Sequence, residues 1–123
     1  MLRGIRGATT VGSNDKEQIV SRVSELLLTI VEKNKLLPKD IGAVIFSSTP
    51  DLDAAFPAAG ARSIGWNEVP LFGAVEIECP GAPVKCIRVL ILWNTDCCQS
   101  EIKHVYLHGS AVLRKDLNLM NNE

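Results

Sequence analysis

Two ionisable side chains stand in places where a strand core has no use for them. Glu76 lies within "GAVEIEC" and Arg88 within "KCIRVLILW", both apolar runs of strand length. Alternation along a strand puts Arg88 on the face of Cys86, Leu90 and Leu92, so even its own face is apolar. Taking such a charge out of water without a partner costs several kcal/mol, roughly. One arrangement satisfies both groups together: a buried Glu76–Arg88 ion pair on adjacent strands. The other is a binding pocket, in which arginines meet an anionic ligand and the carboxylate meets a ligand hydroxyl.

The placement of the arginines favours the pocket. Only Arg22 falls in the long helical segment, while Arg3, Arg6, Arg62, Arg88 and Arg114 lie in or beside strands and loops. A guanidinium presents a planar fork that matches carboxylate or phosphate, which a lysine does not. Arg3 and Arg6, in "RGIRGATT", put two such groups into the first strand. The ligand class these residues suit is a dicarboxylate or a phosphate.

Other groupings carry less chemistry. His104 and His108 stand four apart with Cys97 and Cys98 nearby, but so short a segment rarely supplies tetrahedral geometry and adjacent cysteines seldom ligate one ion, so no metal is expected. Nothing near Cys97 or Cys98 would lower a thiol pKa, which argues against a Cys–His nucleophile. There is no G-x-G-x-x-G or Walker A pattern. Asp51 and Asp53 read as turn-forming side chains, Tyr106 as a packed tyrosine, and Trp66 and Trp93 as core or interface aromatics.

The elements that position these residues follow from periodicity. Residues 2–10 read as a strand. Asn14, with Glu17 three residues later, reads as the cap of a helix whose apolar face is Ile19, Val23, Leu26, Leu27, Ile30 and Val31. Pro38 forbids continuation of that helix. Residues 41–48, "IGAVIFSS", are a continuous apolar run consistent with a strand buried on both faces. A short helix is expected from Pro57 to about Ile64, then strands over 69–78 and 85–93, a turn or short helical piece after Trp93, and a last short strand in "HVYLHGS". The order βαβα followed by further strands predicts one mixed α+β domain with its helices on one face of the sheet. An uncovered face or edge of that sheet would favour oligomers.

Composition sets the outer limits. The chain has 123 residues, 46% hydrophobic and 22% charged, with a formal net charge of −1, enough for one domain with a proper core. With no basic block and few aromatics, nucleic acid is not the expected partner. No apolar run approaches the ~20 residues of a membrane span, and the N-terminus lacks the apolar core of a signal peptide. Cys79, Cys86, Cys97 and Cys98 are expected to be reduced thiols in a cytoplasmic protein.

Six ordered segments, "RGIRGATTV", "TPDLDAAFPA", "R-x-x-GW-x-x-VP", "KCIRVL", "HVYL" and "VLRKDL", together resemble the monofunctional, trimeric chorismate mutases of the pseudo-α/β-barrel class, from about residue 2 to residue 117. The resemblance implies a mutase domain over 1–117 and a flexible tail over 118–123. It implies isomerisation of chorismate to prephenate, on the route to phenylalanine and tyrosine, without cofactor. It also implies a homotrimer with each active site at a subunit interface. Trimeric small-molecule binding or imine-processing proteins share that architecture and are the alternative.

On this resemblance Arg6 binds a substrate carboxylate, Glu76 meets the ring hydroxyl, and Arg88 is aimed at the ether oxygen and a carboxylate. Tyr106 contacts the same carboxylate region. The neighbouring subunit would supply Phe56, Ala58 and Arg62, with Leu71, Phe72 and Gly73 on the third strand, while Leu113 and Arg114 belong to a closing tail. Arg3 matches no catalytic position. Ala59 stands where relatives often carry lysine, and Gly73 where some carry a cysteine that touches ligand. The gap before "GW" is one residue shorter than in some relatives.

Overall fold

A computed structural model describes residues 1–113; the expectations for Arg114 and for a tail over 118–123 fall outside the described residues. Five strands form one mixed sheet in the order β3-β2-β4-β1-β5. They are β1 (Leu2–Thr10), β2 (Ile41–Ser48), β3 (Leu71–Val75), β4 (Cys86–Asn94) and β5 (Val105–Tyr106), with helices α1 (Lys16–Asn34) and α2 (Ala58–Ser63) between them. The two long central pairings, β1 with β4 and β4 with β2, are antiparallel, and the two edge pairings, β2 with β3 and β1 with β5, are parallel.

Helix α1 forms where the 3.6-residue period demands, burying Ile19, Val23, Leu26, Leu27 and Ile30. Its cap differs from the expectation. Asp15, not Asn14, caps the helix, its carboxylate accepting from the Gln18 N–H at 3.1 Å. Asn14 turns instead to the loop before α2, where its Oδ1 accepts from the N–H groups of Asp53 and Ala54 and its Nδ2 donates to Asp53. The C-terminus is closed by Lys35 in the left-handed region at φ 56°, ahead of Pro38, which opens a short 3₁₀ turn.

The core lies between α1 and one face of the sheet, where Ile5, Val44, Phe46, Ile87, Val89 and Ile91 meet the helix. Strand β2 is therefore covered on one face only. Val44 and Phe46 are fully buried, whereas Ile45 between them is 36% exposed. The apolar run that suggested burial on both faces includes residues of an open face. Strand β3 is shorter than the expected 69–78, and strand pairing ends at Val75 with Glu76 just beyond it. The remaining elements fall close to their expected spans.

Helix α2 rests on α1 through Gly60. A Cβ at that position would stand 2.6 Å from both Cβ and Cγ1 of Val23 and 3.1 Å from the Val20 carbonyl oxygen. No side chain fits that crossing without moving one helix. Gly42, at the irregularity where β2 shifts register on β4, is open by comparison, its nearest obstacle the Leu92 carbonyl oxygen at 3.6 Å. Gly60→Ala is expected to cost about 1–3 kcal/mol in urea unfolding, and Gly42→Ala to stay within about 0.5 kcal/mol of the parent. Equal losses at both positions would refute the packing argument.

Candidate active site

The pleat of the sheet sorts the side chains. On β4 the residues Ile87, Val89, Ile91 and Trp93 face the helix, so Cys86, Arg88, Leu90 and Leu92 face the other way. On β1 the same alternation sends Arg6 and Ala8 outward. Register then aligns one row across all five strands: Ala74, Ser47, Arg88, Ala8 and Tyr106. Arg88 is thus flanked by alanine on one side and serine on the other, small residues that leave its guanidinium room. Arg6 lies one row along, paired with Leu90. On a sheet such diagonal neighbours are within side-chain reach, ~7–8 Å apart.

Arg88 and Glu76 do meet. Arg88 Nε lies 3.2 Å from Glu76 Oε1, and Ser47 Oγ donates to the same oxygen at 2.6 Å. The pair differs from the buried pair on adjacent strands in two respects. Strand β2 lies between β4 and β3, so Ser47 bridges the gap. The side chains are 45% and 25% exposed, so in the single chain neither charge is withdrawn from water. Neither contact occupies Glu76 Oε2. The Glu76 N–H donates to the Ser48 carbonyl at 2.9 Å, which continues the β2–β3 pairing one residue past the strand.

Charge on this face is unbalanced in favour of an anion. Among the described residues Glu76 pairs with Arg88 and Glu25 contacts the His108 ring, and Arg6 takes part in neither contact. Tyr106 is half-buried at the end of the row. Burial raises its phenol pKa, while the guanidiniums of Arg6 and Arg88 pull it back, so both cations act on the same hydroxyl. The Cys86 thiol, beside Arg88, is likewise pushed up by burial, against the opposing pull of the arginine. It stays protonated and unreactive at neutral pH.

The second group of expected residues lies elsewhere in the chain. Phe56, Ala59, Arg62 and Gly73 line a cleft of about 710 Å³ together with Phe46 and Ser48, whose side chains are on the helix face of β2. Phe56 is 79% exposed at its rim. Ala58 and Leu71 pack against the core, and Phe72, paired with Ile45, is on the outward face and 66% exposed. A Cβ at Gly73 would meet nothing within 4 Å. Leu113 is half-buried at the end of the described residues. One chain therefore brings Arg6, Glu76, Arg88 and Tyr106 together, and separately Phe56, Arg62 and Gly73, on opposite sides of the sheet.

Sequence reasoning passed over Ser47, which holds Glu76, and gave Asn14 the helix cap rather than its observed role of holding the loop that carries Phe56. Both are small polar residues whose roles depend on residues far along the chain. Among the described residues there is no group of three or more His, Cys, Asp or Glu side chains able to hold a metal. No helix among them is long and apolar enough to cross a membrane.

The chain matches the family model for chorismate mutase type I over residues 2–117. It is 45% identical over 123 residues to chorismate mutase AroH of Bacillus subtilis, covering 99% of this chain and 97% of that protein. It is 48% identical over 118 residues to chorismate mutase AroH of Thermus thermophilus, covering 95% and 97%. Its fold matches the solved structure of a chorismate mutase from Clostridium thermocellum with a TM-score of 0.87 and 50% identity, over 89% of this chain and 97% of the other.

The exposure of the Arg88–Glu76 pair yields a stability prediction. Half-exposed ion pairs contribute about 0–1 kcal/mol, so Arg88→Ala is expected to lower the urea-unfolding free energy by no more than that. A loss of several kcal/mol would show that the pair holds the fold together.

Proposed function

The chain belongs to the type I chorismate mutase family, and from that membership we infer that it isomerises chorismate to prephenate, the step that leads toward phenylalanine and tyrosine. The observation that carries the site assignment is the row that sets Arg88 between Ala8 and Ser47, with Arg6 one row along and Tyr106 at its end. The reaction is a pericyclic Claisen rearrangement. It needs no nucleophile or general base, in keeping with a face that offers cations, one carboxylate and a phenol.

Chorismate is a dianion with a flexible enolpyruvyl arm. For the bond rearrangement the arm must fold over the ring, and negative charge appears on the ether oxygen as its C–O bond breaks. Arg6 is the residue for a substrate carboxylate. Glu76, pinned through Oε1, has Oε2 to accept a hydrogen bond from the ring hydroxyl. Arg88, standing on a rigid central strand, supplies the cation at the ether oxygen, and Tyr106 the hydroxyl near the same carboxylate. Holding the arm in its reactive conformation lowers the barrier by a few kcal/mol, about, and a preorganised cation adds ~3–4 more.

The working form in this reading is a homotrimer with sites between subunits. Its support is that the cleft of Phe56, Arg62 and Gly73 and the outward face of Arg88 cannot converge within one chain. The outward face also carries Phe72 largely uncovered and Ile45 partly so, apolar surface suited to a second copy. Ala58, Leu71 and Phe72 would line the site from the neighbouring subunit, and Leu113 and Arg114 would close it. All four cysteines are free thiols, in keeping with a reducing, cytoplasmic setting.

Purified protein is expected to consume chorismate, followed as loss of its absorbance, and an inert protein would end this reading. Arg88→Ala should cut kcat by roughly 10³ or more with a milder effect on KM, because the cation acts on charge that develops in the transition state. Arg88→Lys keeps the charge and loses the fork, so partial recovery is expected. A folded Arg88→Ala protein that turns over normally would refute the mechanism. Activity should also track the trimer: dilution or interface substitution that yields monomers by light scattering should abolish turnover, and an active monomer would contradict the shared site.

A further inference from the structure

Strand β5 is only two residues long, so most of the outer edge of β1 has no backbone partner from it. Side chains take its place. Gln99 completes Gly4 on both sides, its Oε1 accepting from the Gly4 N–H at 3.1 Å and its Nε2 donating to the Gly4 carbonyl at 2.7 Å. His104 then completes Arg6, whose backbone N–H donates to the ring Nδ1 at 2.9 Å. Beyond it backbone pairing takes over, with the Leu107 N–H donating to the Ala8 carbonyl at 2.9 Å. The imidazole is therefore a substitute strand residue, placed at the arginine that the functional reading assigns to a substrate carboxylate.

We propose that His104 is a positioning residue for Arg6: its neutral ring, with the proton on Nε2, holds the β1 backbone at Arg6 and the start of the segment that carries Tyr106 in one fixed relation. The inference rests on the reading of Arg6 as a substrate-binding group. A ring that accepts at Nδ1 must be unprotonated there, so an imidazolium breaks this hydrogen bond and turns an acceptor into a second donor facing the amide. The surroundings agree with the neutral form. His104 is half-buried, and burial followed by the nearby Arg6 charge lowers its pKa below the ordinary histidine value. From β1 the facing charge is Arg6, and Tyr106 follows on the same segment. From α1, Asn34 Nδ2 donates to the carbonyl of the neighbouring Lys103 and Asn34 Oδ1 accepts from the Lys103 N–H, both at 2.9 Å, fixing the backbone just before the ring.

The sign follows from the geometry. The bond is present while the ring is neutral and is lost as pH falls through the folded-state pKa, which lies below the ordinary value of about 6.5. Substrate capture should weaken on that acid limb.

His104→Ala removes the acceptor, and KM for chorismate is expected to rise roughly five- to tenfold, with a smaller change in kcat. His104→Asn offers an amide oxygen near the position of Nδ1 and has no proton to gain; it should recover KM to within about twofold and flatten the acid limb of kcat/KM below the ordinary histidine value of about 6.5. An unchanged KM in a folded His104→Ala protein, or an acid limb unaltered in His104→Asn, would overturn the assignment. A third measurement does not depend on turnover. Nitrogen-15 NMR of the wild-type ring at pH 7.5 should show Nδ1 unprotonated and Nε2 protonated, and the opposite tautomer would overturn the inference even in an active enzyme. Failure of the functional reading itself registers separately, as an Arg6→Ala protein with normal KM.

Discussion

The antiparallel ladder between β1 and β4 is the constraint on which the rest depends. It runs unbroken through nine pairs, from Leu2–Asn94 to Thr10–Cys86. Because side chains alternate with period two, a slip of one residue would send Arg6 and Arg88 into the helix-packed core and bring Ile5, Val89 and Ile91 out to water. Burial of those apolar groups against α1 therefore fixes the register. The same energy that makes the core places both guanidiniums on one face. Gly7, on the core face of β1, tightens this further, since a Cβ there would meet Ile30 at 2.9 Å and Val89 at 3.0 Å.

With the cations placed, electrostatics decides what the face accepts. Arg88 shares Glu76 with Ser47, Arg6 has no carboxylate partner among the described residues, and Tyr106 feels both guanidiniums. In a single chain this cluster is half-exposed and costs little. Covered by a second subunit it would be withdrawn from water, where charges interact more strongly and an unpaired cation is expensive. A dianion offsets that excess. In the proposed trimer, affinity for a dianion and cover over the face would reinforce one another, and the cost of assembling the two arginines would be offset by the bound ligand.

How much of this was legible in the sequence divides along physical lines. Strands β1 and β4, helix α1 and the outward placement of Arg88 follow from periodicity, which is local. The Asn14 cap failed because Asp15 offers the same chemistry one residue later, and a long-range contact with Asp53 claimed the asparagine. In the single chain β2 is buried on one face only; an apolar run does not say whether its second face meets a helix or another copy of the chain. Ser47 left no trace, since a serine in a strand gains a role only once register brings a carboxylate to it. The resemblance to a family supplied residue roles, which geometry alone does not assign.

The site's two parts are joined by the edge of the sheet. On β3, Ala74 pairs with Ser47 in the row of Arg88, its backbone also bordering the cleft that holds Phe56 and Arg62, while its neighbour Gly73 pairs with Phe46 on the cleft side. On β2, Ser47 holds Glu76 while Ser48 lines the cleft behind it. Adjacent residues of two strands thus serve opposite faces, separated by no more than the thickness of the backbone. A bare glycine at position 73 adds no side chain on the cleft side, so contact there is left to its backbone and to Phe56 and Arg62. The edge pairing of β2 with β3 fixes where both faces of the site stand. That pairing is backbone hydrogen bonding in five consecutive register positions, extended by Glu76 to Ser48. Glu76 and Gly73, on opposite faces of the sheet, are held by the same ladder.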